Sequence, residues 1–294
     1  MISIALIAAL ATQAAPAAPM KADERGRPLM EMSVNGQGPF DFVVDTAAER
    51  TVITTRLVDR LGLTPGGGGA HLHGASGAEP ADTYILDRLE SPVLDREATM
   101  VTAFPNTAVI SAWGVLGMDA FTRGRLVFDK ARGQLKVEPS GPASGGVVLP
   151  LELLRGSFAV TTVEVDGRPV RAVIDSGAGR TLMNTAALAA LGWQADDPRL
   201  AQTRPVQGAT SQQTAARSAR IGRVLLGPMA FEEVSVVVAD LPVFQSLGLA
   251  DGPAMILGSD LLGRLPAYAI DYPRSELQLT LPAPSTTGGP EHGH

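Results

Sequence analysis

The chain has 294 residues, of which 45% are hydrophobic and 18% are charged, and its net charge at pH 7 is −6. This composition is typical of a chain that folds around a sizeable core, and it argues against a disordered protein. Acidic and basic residues are interspersed without a basic stripe, so we expect no nucleic-acid partner. The absence of cysteine excludes disulfides, thiolate nucleophiles and metal sites with cysteine ligands.

The chain begins with a mainly apolar run at residues 2–11, after which Ala and Pro predominate as far as Pro19. The run is too short to span a membrane, and no Lys or Arg precedes it. It is typical of the hydrophobic part of a secretion signal, with small-residue cleavage sites after Ala14 or Ala17. We therefore expect residues 1–20 to be a signal peptide and the protein to be periplasmic or secreted. We expect no membrane span elsewhere.

Two hairpins are predicted, one early in each half of the chain. Apolar residues alternate with other residues from 30 to 44 around the Asn35-Gly36 pair, and from 163 to 174 around Asp166-Gly167. Period-two alternation around such a pair is a strong hairpin signal. The second strand of each predicted hairpin therefore ends at an aspartate.

The same motif closes both hairpins: it is VVDTAA at residues 43–48 and VIDSGA at residues 173–178. Matching residues are 130 apart at Asp45 and Asp175, 134 apart at Gly74 and Gly208, and 141 apart at Gly117 and Gly258. A slowly growing offset predicts a duplicated domain with small insertions.

The remaining elements repeat in the same order. A short helix follows each motif, capped by Thr54 or Thr55 and ended by Gly62 in the first half, and capped by Asn184 or Thr185 and ended by Gly192 in the second. Next come Gly-rich polar stretches at 66–78 and 202–214, strands near 83–89, 98–103, 219–226 and 233–238, and final hairpins at 125–137 and 267–280. We predict lobes at 21–139 and 147–281, a linker at 140–146 and a disordered tail at 282–294.

Asp45 and Asp175 have two interpretations. Aspartate is common where a strand enters a turn, so each could be a turn residue only. A duplicated domain, however, packs about a pseudo-twofold axis, which brings equivalent residues near that axis together. Two carboxyl groups a few Å apart share one proton, and such a pair can deprotonate a water while it protonates a carbonyl.

Both motifs resemble the Asp-Thr/Ser-Gly-Ala signature of the aspartic peptidases, fully in the second half and with Ala47 in place of glycine in the first. The segments Val115-Leu116-Gly117 and Ile256-Leu257-Gly258 resemble the second signature of that superfamily. The halves, at about 120 residues each, are closer in length to a retropepsin subunit than to a pepsin lobe. The chain thus resembles a tandem, single-chain, retropepsin-like peptidase of bacteria over residues 29–280.

The resemblance implies an all-β, two-lobed acid-protease fold with one active site between the lobes. It makes Asp45 and Asp175 the water-activating pair, and it makes Thr46 and Ser176 exchange hydrogen bonds that hold the two loops together. It also implies a polypeptide substrate, no cofactor and a self-contained monomer.

The two Gly-rich stretches would supply flaps over the bound peptide, with Gly74 and Gly208 at their tips, where a positive φ is expected. Ala47 and Gly177 complete the turns that carry the carboxylates. At Ala47 a positive φ would introduce strain of roughly 1 kcal/mol, whereas a negative φ would cost little. Ala47 therefore keeps a second hypothesis open, a weak or inactive peptide-binding module on the same fold.

Other polar residues receive structural interpretations. We predict that Asp119 and Asp260 cap the short helices that follow the second signatures, rather than act as further acids. Asp129 and Asp271 are predicted turn residues. His71 and His73 have a spacing that could ligate a metal from one strand, but no carboxylate cluster lies nearby in sequence, so we expect no metal. The glycines at 66–69 lack the Gly-Lys-Ser/Thr of a phosphate-binding loop, and no histidine fits a serine-protease triad.

Overall fold

The computed structural model describes residues 15–104, 110–194 and 196–281. The strands in the first half are β1 (Ala17–Ala22), β2 (Pro28–Val34), β3 (Gln37–Val44), β4 (Val52–Thr54), β5 (Gly69–Gly74), β6 (Gly77–Ser91), β7 (Leu94–Phe104), β8 (Gly114–Leu116), β9 (Arg125–Asp129) and β10 (Gln134–Glu138). Those in the second half are β11 (Val147–Pro150), β12 (Glu152–Leu154), β13 (Phe158–Val165), β14 (Arg168–Ile174), β15 (Leu182–Met183), β16 (Ala201–Gln202), β17 (Val206–Gln207), β18 (Gln213–Thr214), β19 (Arg217–Leu226), β20 (Met229–Val238), β21 (Ala254–Leu257), β22 (Ala267–Asp271) and β23 (Glu276–Thr280). The helices are α1 (Thr55–Leu61), α2 (Thr185–Ala190), α3 (Pro242–Ser246) and α4 (Ser259–Leu262), and a 3₁₀ turn covers Met118–Ala120.

Each half forms a closed six-stranded β-barrel. In the first barrel the strand order is β2-β3-β8-β4-β7-β6, and the pairing of β6 with β2 closes it. In the second the order is β13-β14-β21-β15-β20-β19, and β19 pairs with β13 in the same way. The predicted all-β fold of two tandem lobes is therefore confirmed.

Local sequence signals explain where these elements begin and end. The β2–β3 turn has positive φ at Asn35 and Gly36, as a tight two-residue hairpin turn requires. Helix α1 begins after Thr54, whose side chain accepts a hydrogen bond from Leu57 N, and it ends at Gly62 in the left-handed conformation. Helix α2 is capped by Asn184. The predicted hairpins and caps are thus confirmed.

A six-stranded antiparallel sheet joins the two barrels, with the strand order β11-β23-β22-β9-β10-β1. At its centre β9 pairs with β22, and Arg125 lies opposite Asp271 while Asp129 lies opposite Ala267. Equivalent strands from the two halves thus meet across a pseudo-twofold axis. The largest apolar cluster contains residues of both halves, including Phe128, which stacks on Tyr268 with ring centroids 4.5 Å apart.

Asp129 and Asp271 lie at the ends of the two central strands and support the turns that follow. Asp129 accepts a hydrogen bond from Arg132 N, and Asp271 accepts one from Arg274 N, as predicted for turn residues. Asp271 also accepts hydrogen bonds from Ser140 Oγ and Gly141 N. These two bonds fix the start of the predicted linker to the last hairpin.

Strand β1 lies between β10 and β2, and it begins within the segment predicted to be a signal peptide. Its residue Ala18 is buried. Residues 1–14 and the tail at 282–294 lie outside the described residues, so the signal peptide and the disordered tail stay predictions. In the described part of the chain, no helix has the length and apolar character needed to cross a membrane.

The stacked pair in the joining sheet generates a stability prediction. Phe128 is 1% exposed, so we expect Phe128→Ala to lower the free energy of unfolding by about 3–5 kcal/mol, because it leaves a cavity beside Tyr268. Urea titration followed by tryptophan fluorescence measures this change. The control is Val148→Thr on the edge strand β11, where 44% exposure predicts a change within about 0.5 kcal/mol. Equal effects of the two substitutions would contradict the central position of Phe128.

Candidate active site

Asp45 and Asp175 follow the last residues of β3 and β14. Each of these strands pairs in parallel with an apolar segment, β8 for the first and β21 for the second. The pairing continues into the motif, because Asp45 N donates to Leu116 O at 3.0 Å and Asp175 N donates to Leu257 O at 3.1 Å. The second signatures therefore fix the backbone of both aspartates by hydrogen bonds.

Thr46 and Ser176 connect the two aspartate loops directly. Thr46 Oγ1 donates to Ile174 O at 2.7 Å and accepts from Ser176 N at 2.9 Å. In the reciprocal pair, Ser176 Oγ donates to Val44 O at 2.6 Å and accepts from Thr46 N at 3.1 Å. Both hydroxyl residues are 0% exposed, so water does not compete for these four bonds.

The carboxyl groups of Asp45 and Asp175 are close enough for each to affect the pKa of the other. Burial raises the pKa of both, and the charge of Asp45 raises the pKa of Asp175 further. The bond from Ala47 N to Asp45 Oδ1, at 2.8 Å, opposes the effect of burial on the pKa of Asp45. Asp175 Oδ1 accepts a bond from Ala178 N at 2.8 Å. Because each carboxyl group affects the pKa of the other, the two titrate as a pair.

The residues after Thr46 and Ser176 are not equivalent. A Cβ added to Gly177 would lie 2.1 Å from Asp45 Oδ2, so only glycine fits there. Ala47 has no positive φ, so the strain considered from the sequence does not arise. Its methyl group packs against an apolar cluster of the second lobe.

Two buried apolar clusters lie apart from the main core, one in each lobe. The first-lobe cluster consists of Leu29, Val43, Leu72, Phe104, Ile110 and Ala112. The second-lobe cluster consists of Phe158, Val160, Val173, Leu182, Ala216, Val237, Ala239, Leu241, Phe244, Leu247, Leu249, Ala254 and Ile256. Since Val43 and Val173 occupy equivalent positions two residues before the aspartates, the two clusters flank the carboxyl pair.

The predicted flaps are hairpins whose tips meet. The turn Ala75-Ser76 joins β5 to β6, and the second hairpin is formed by β17 and β18. Ser76 Oγ lies 3.2 Å from Thr210 Oγ1 and accepts a bond from Gly208 N at 3.1 Å. Each tip also reaches the cluster of the opposite lobe, because Ala75 packs on the second-lobe cluster and Ala209 on the first-lobe cluster.

The expected reason for glycine at the flap tips was wrong. Gly74 and Gly208 do not have positive φ, which occurs instead at Gly77. The constraint is proximity, because a Cβ at Gly74 would lie 3.3 Å from Ala209 N and one at Gly208 would lie 3.1 Å from Ala75 N. Contacts between two hairpins far apart in sequence leave no local signal that could have predicted this.

The matching model is that of a family described as aspartyl protease, and it matches residues 30–120 and again residues 161–261. The two regions together make up more than half of the chain. The chain belongs to the aspartyl protease family. Its two matches agree with the tandem, retropepsin-like arrangement expected from the sequence. A search of curated proteins found no match. Membership of the aspartyl protease family supports a peptidase, and therefore a hydrolase with a peptide substrate.

The helix-capping roles expected for Asp119 and Asp260 in this aspartyl protease chain were wrong. Neither short helix has a side-chain cap. Asp119 Oδ1 instead accepts bonds from Thr51 N and Thr51 Oγ1 at 2.8 and 2.9 Å, and Asp260 Oδ1 accepts one from Thr181 Oγ1 at 2.7 Å. Each threonine hydroxyl in turn accepts a bond from the glycine N–H of a second signature. Asp119 and Asp260 therefore connect the second signatures to Thr51 and Thr181, which follow the loops that carry Asp45 and Asp175.

Two residues near the pair were not singled out from the sequence. Continuing the pairing of Leu29 with Val43 by two residues places Arg27 opposite Asp45. The same step from the pairing of Val160 with Val173 places Phe158 opposite Asp175. Comparison of the two hairpins in register, rather than motif by motif, is the signal that would have found them.

His71 and His73 lie on the exposed face of β5, with ring centroids 6.5 Å apart. Within the described ranges, no group of three or more potential metal ligands occurs.

The unequal turns predict opposite responses to single-methyl changes. We expect Gly177→Ala to lower the free energy of unfolding by about 1–3 kcal/mol, because the new methyl group overlaps Asp45. The reverse change at the matching position, Ala47→Gly, should cost no more than about 1 kcal/mol, which reflects chain entropy. Urea unfolding of both variants checks this. Equal losses would mean that the approach of Gly177 to Asp45 is not close.

Burial of Asp175 predicts a dependence of stability on pH. Because the folded-state pKa of Asp175 lies above its unfolded value, the folded protein binds more protons between these two values, and its stability falls as pH rises through that window. Asp175→Asn keeps an acceptor for Ala178 N and a donor toward Asp45 without the buried charge. We expect this variant to unfold at higher urea than the wild type at pH 7 and at the same urea below about pH 4.

The matched control for this experiment is Asp197→Asn. The Asp197 carboxyl has its pKa lowered to about 2 by hydrogen bonds from Arg199, so its removal should destabilise the protein at pH 7. If Asp175→Asn also destabilised the protein at pH 7, the raised pKa of Asp175 would be refuted.

Proposed function

We propose that this chain is an aspartic endopeptidase in which Asp45 and Asp175 activate a water for attack on a peptide carbonyl. The observation that carries the proposal is the set of four reciprocal hydrogen bonds of Thr46 and Ser176, which hold the Asp45 and Asp175 loops together so that each carboxyl group affects the pKa of the other. A pair that holds one proton can serve as base and acid in the same step. The pair needs no cofactor for this chemistry.

The proposed reaction has two proton-balanced steps. The ionised carboxylate takes a proton from water as the water oxygen bonds to the carbonyl carbon, and the protonated carboxyl gives its proton to the carbonyl oxygen. The resulting gem-diol collapses when one of its hydroxyl protons returns to the pair and the other carboxyl protonates the amide nitrogen. The C–N bond then breaks to give a carboxylic acid and an amine, and the pair regains its original single proton.

The flaps and clusters support a peptide substrate bound as an extended strand. The tips of the β5–β6 and β17–β18 hairpins meet each other and pack on the two apolar clusters, and an extended peptide beneath them would pair through its backbone. Apolar side chains of the peptide would enter the first-lobe and second-lobe clusters on either side of the pair. Water exclusion by the closed flaps would strengthen the hydrogen bonds to the reacting groups.

The second candidate is a weak or inactive peptide-binding module, suggested by Ala47. The N–H of Ala47 still donates to Asp45, and its backbone is unstrained, which favours the enzyme over this candidate. We further propose, from the N-terminal sequence, that the protein acts in the periplasm or outside the cell, and from its internal pseudo-twofold repeat, that it acts as a monomer.

Activity assays distinguish these candidates. We expect the purified protein to cleave casein or a quenched fluorescent peptide, with a bell-shaped dependence of kcat/KM on pH. Asp45→Asn and Asp175→Asn should each lower kcat/KM by about 10²–10⁴-fold or more, because each leaves the pair without its base or its acid. Asp197→Asn controls for the loss of a surface carboxyl group.

Equal activity of the wild type and both active-site variants would refute the carboxyl pair as catalyst. Binding of the peptide without cleavage at any pH would favour the binding module. Size-exclusion chromatography of the active protein tests whether one chain is sufficient, because activity confined to a dimer would contradict a self-contained site.

A further inference from the structure

The two aspartates differ in the residue that faces each of them across its hairpin. Leu29 pairs with Val43 and Val160 pairs with Val173, and the same register two residues further along brings Arg27 to the position opposite Asp45 and Phe158 to the position opposite Asp175. Residues directly opposite in an antiparallel pair project to the same face and are close neighbours. The charge of Arg27 acts on Asp45 and lowers its pKa, whereas the equivalent position beside Asp175 holds an aromatic residue without a charge.

Asp23 and the surrounding turn hold Arg27 in place. Asp23 Oδ2 lies 2.7 Å from both Nε and one terminal nitrogen of Arg27, and Asp23 Oδ1 accepts the backbone N–H groups of Arg25 and Arg27. The two paired side chains are 1% and 9% exposed, so the ion pair is buried. Arg25 packs against the second aspartate loop, where a Cβ on Gly179 would lie 2.8 Å from Arg25 Cβ. The turn is therefore fixed against both halves of the site.

The surroundings of Asp175 are apolar by comparison. Phe158 and Val173 belong to the second-lobe cluster, and Ala47 and Ala178 pack against that cluster from the two aspartate loops. A carboxylate in apolar surroundings loses hydration without gaining a compensating charge, which favours its protonated form. A carboxylate beside a guanidinium is stabilised in its ionised form.

We propose that Arg27 is a positioning residue for the shared proton, which keeps Asp45 ionised and leaves the proton on Asp175. Asp45 then takes the proton of the attacking water, and Asp175 donates its proton to the carbonyl oxygen. This inference rests on the proposed function for its catalytic meaning. The inequality of the two carboxyl groups does not depend on activity.

The other ionisable groups around the pair do not offset this inequality. Burial raises the pKa of the Tyr272 and Tyr268 hydroxyls, and the charges of Asp45 and Asp175, respectively, raise it further, so both hydroxyls stay neutral. For Asp45, burial and the bond from Ala47 N affect the pKa more than Arg27 does, and Arg27 lowers it. Arg25, in the same turn, carries an exposed charge beside Gly179. Asp23 partly neutralises the charge of Arg27, so substitutions at either residue change the charge that acts on Asp45.

The test is the titration of the aspartate carboxyl carbons, followed by ¹³C NMR in the full-length protein. In the wild type we expect Asp45 to ionise at lower pH than Asp175, with assignments made from Asp45→Asn and Asp175→Asn. The double variant Asp23→Asn/Arg27→Gln removes both charges and keeps an acceptor for the turn, and it should raise the Asp45 titration by about one pH unit. Asp23→Asn alone leaves Arg27 unneutralised, so it should shift the same titration downward.

Two further variants separate charge from structure. Arg27→Lys keeps a cation, so Asp45 should titrate in this variant as it does in the wild type. This comparison holds even if the double variant folds poorly. Arg25→Gln removes a charge from the same turn and should leave the Asp45 titration unchanged. Ionisation of Asp175 before Asp45, or an Asp45 titration that the Asp23 and Arg27 variants do not move, would overturn the proposal.

The same variants separate this inference from the proposed function. If the protein cleaves peptide, the acidic limb of kcat/KM against pH should move with the Asp45 titration. Expected titrations in a protein without peptidase activity would refute the proposed function and support the role of Arg27. Peptidase activity together with an Asp45 titration that the Arg27 variants do not change would support the proposed function and refute the role of Arg27.

Discussion

The reciprocal hydrogen bonds of Thr46 and Ser176 set the distance between the two halves at the position where the carboxyl groups must meet. Each hydroxyl donates to a strand carbonyl of the opposite half and accepts a backbone N–H from it. These bonds require the two loops to be in register to within a fraction of an ångström. The sheet that joins the barrels supplies that register, because β9 and β22 pair symmetrically about the same pseudo-twofold axis.

Two carboxyl groups in contact inside a protein are unfavourable for stability, and the surrounding contacts show how this fold tolerates them. Backbone N–H groups of Ala47 and Ala178 donate to one oxygen of each carboxyl group. The repulsion between the two carboxylates that remains is relieved when the pair holds one proton. Asp119 and Asp260 tie the loops to the second signatures from below. An unfavourable arrangement persists only where the surrounding structure holds it in place, and such positions are often functional.

The features that the sequence predicted correctly are those that depend on neighbours along the chain. The Asn35-Gly36 turn, the Thr54 and Asn184 caps and the repeated motif are local signals, and together they imply two barrels. The features that it missed depend on residues brought together by folding. Asp119 binds Thr51, which is 68 residues away, so the helix that follows it suggested the wrong role. Gly74 meets a hairpin of the other half, and β1 lies in a segment whose composition indicates a secretion signal.

A duplicated chain can make the two halves of its site unequal, which a dimer of identical subunits cannot do by sequence. In this chain the surroundings of Asp45 and Asp175 differ in both the aspartate loops and the facing strands. A Cβ on Gly177 would overlap Asp45, whereas Ala47 packs its methyl group against the second-lobe cluster, to which Phe158 belongs. Arg27 flanks Asp45, and no cation occupies the matching position beside Asp175 in the described second half, since Phe158 stands there. A proton shared by two equivalent carboxyl groups has no preferred place. In the proposed reaction, the residues that break the equivalence would decide which aspartate acts first as the base.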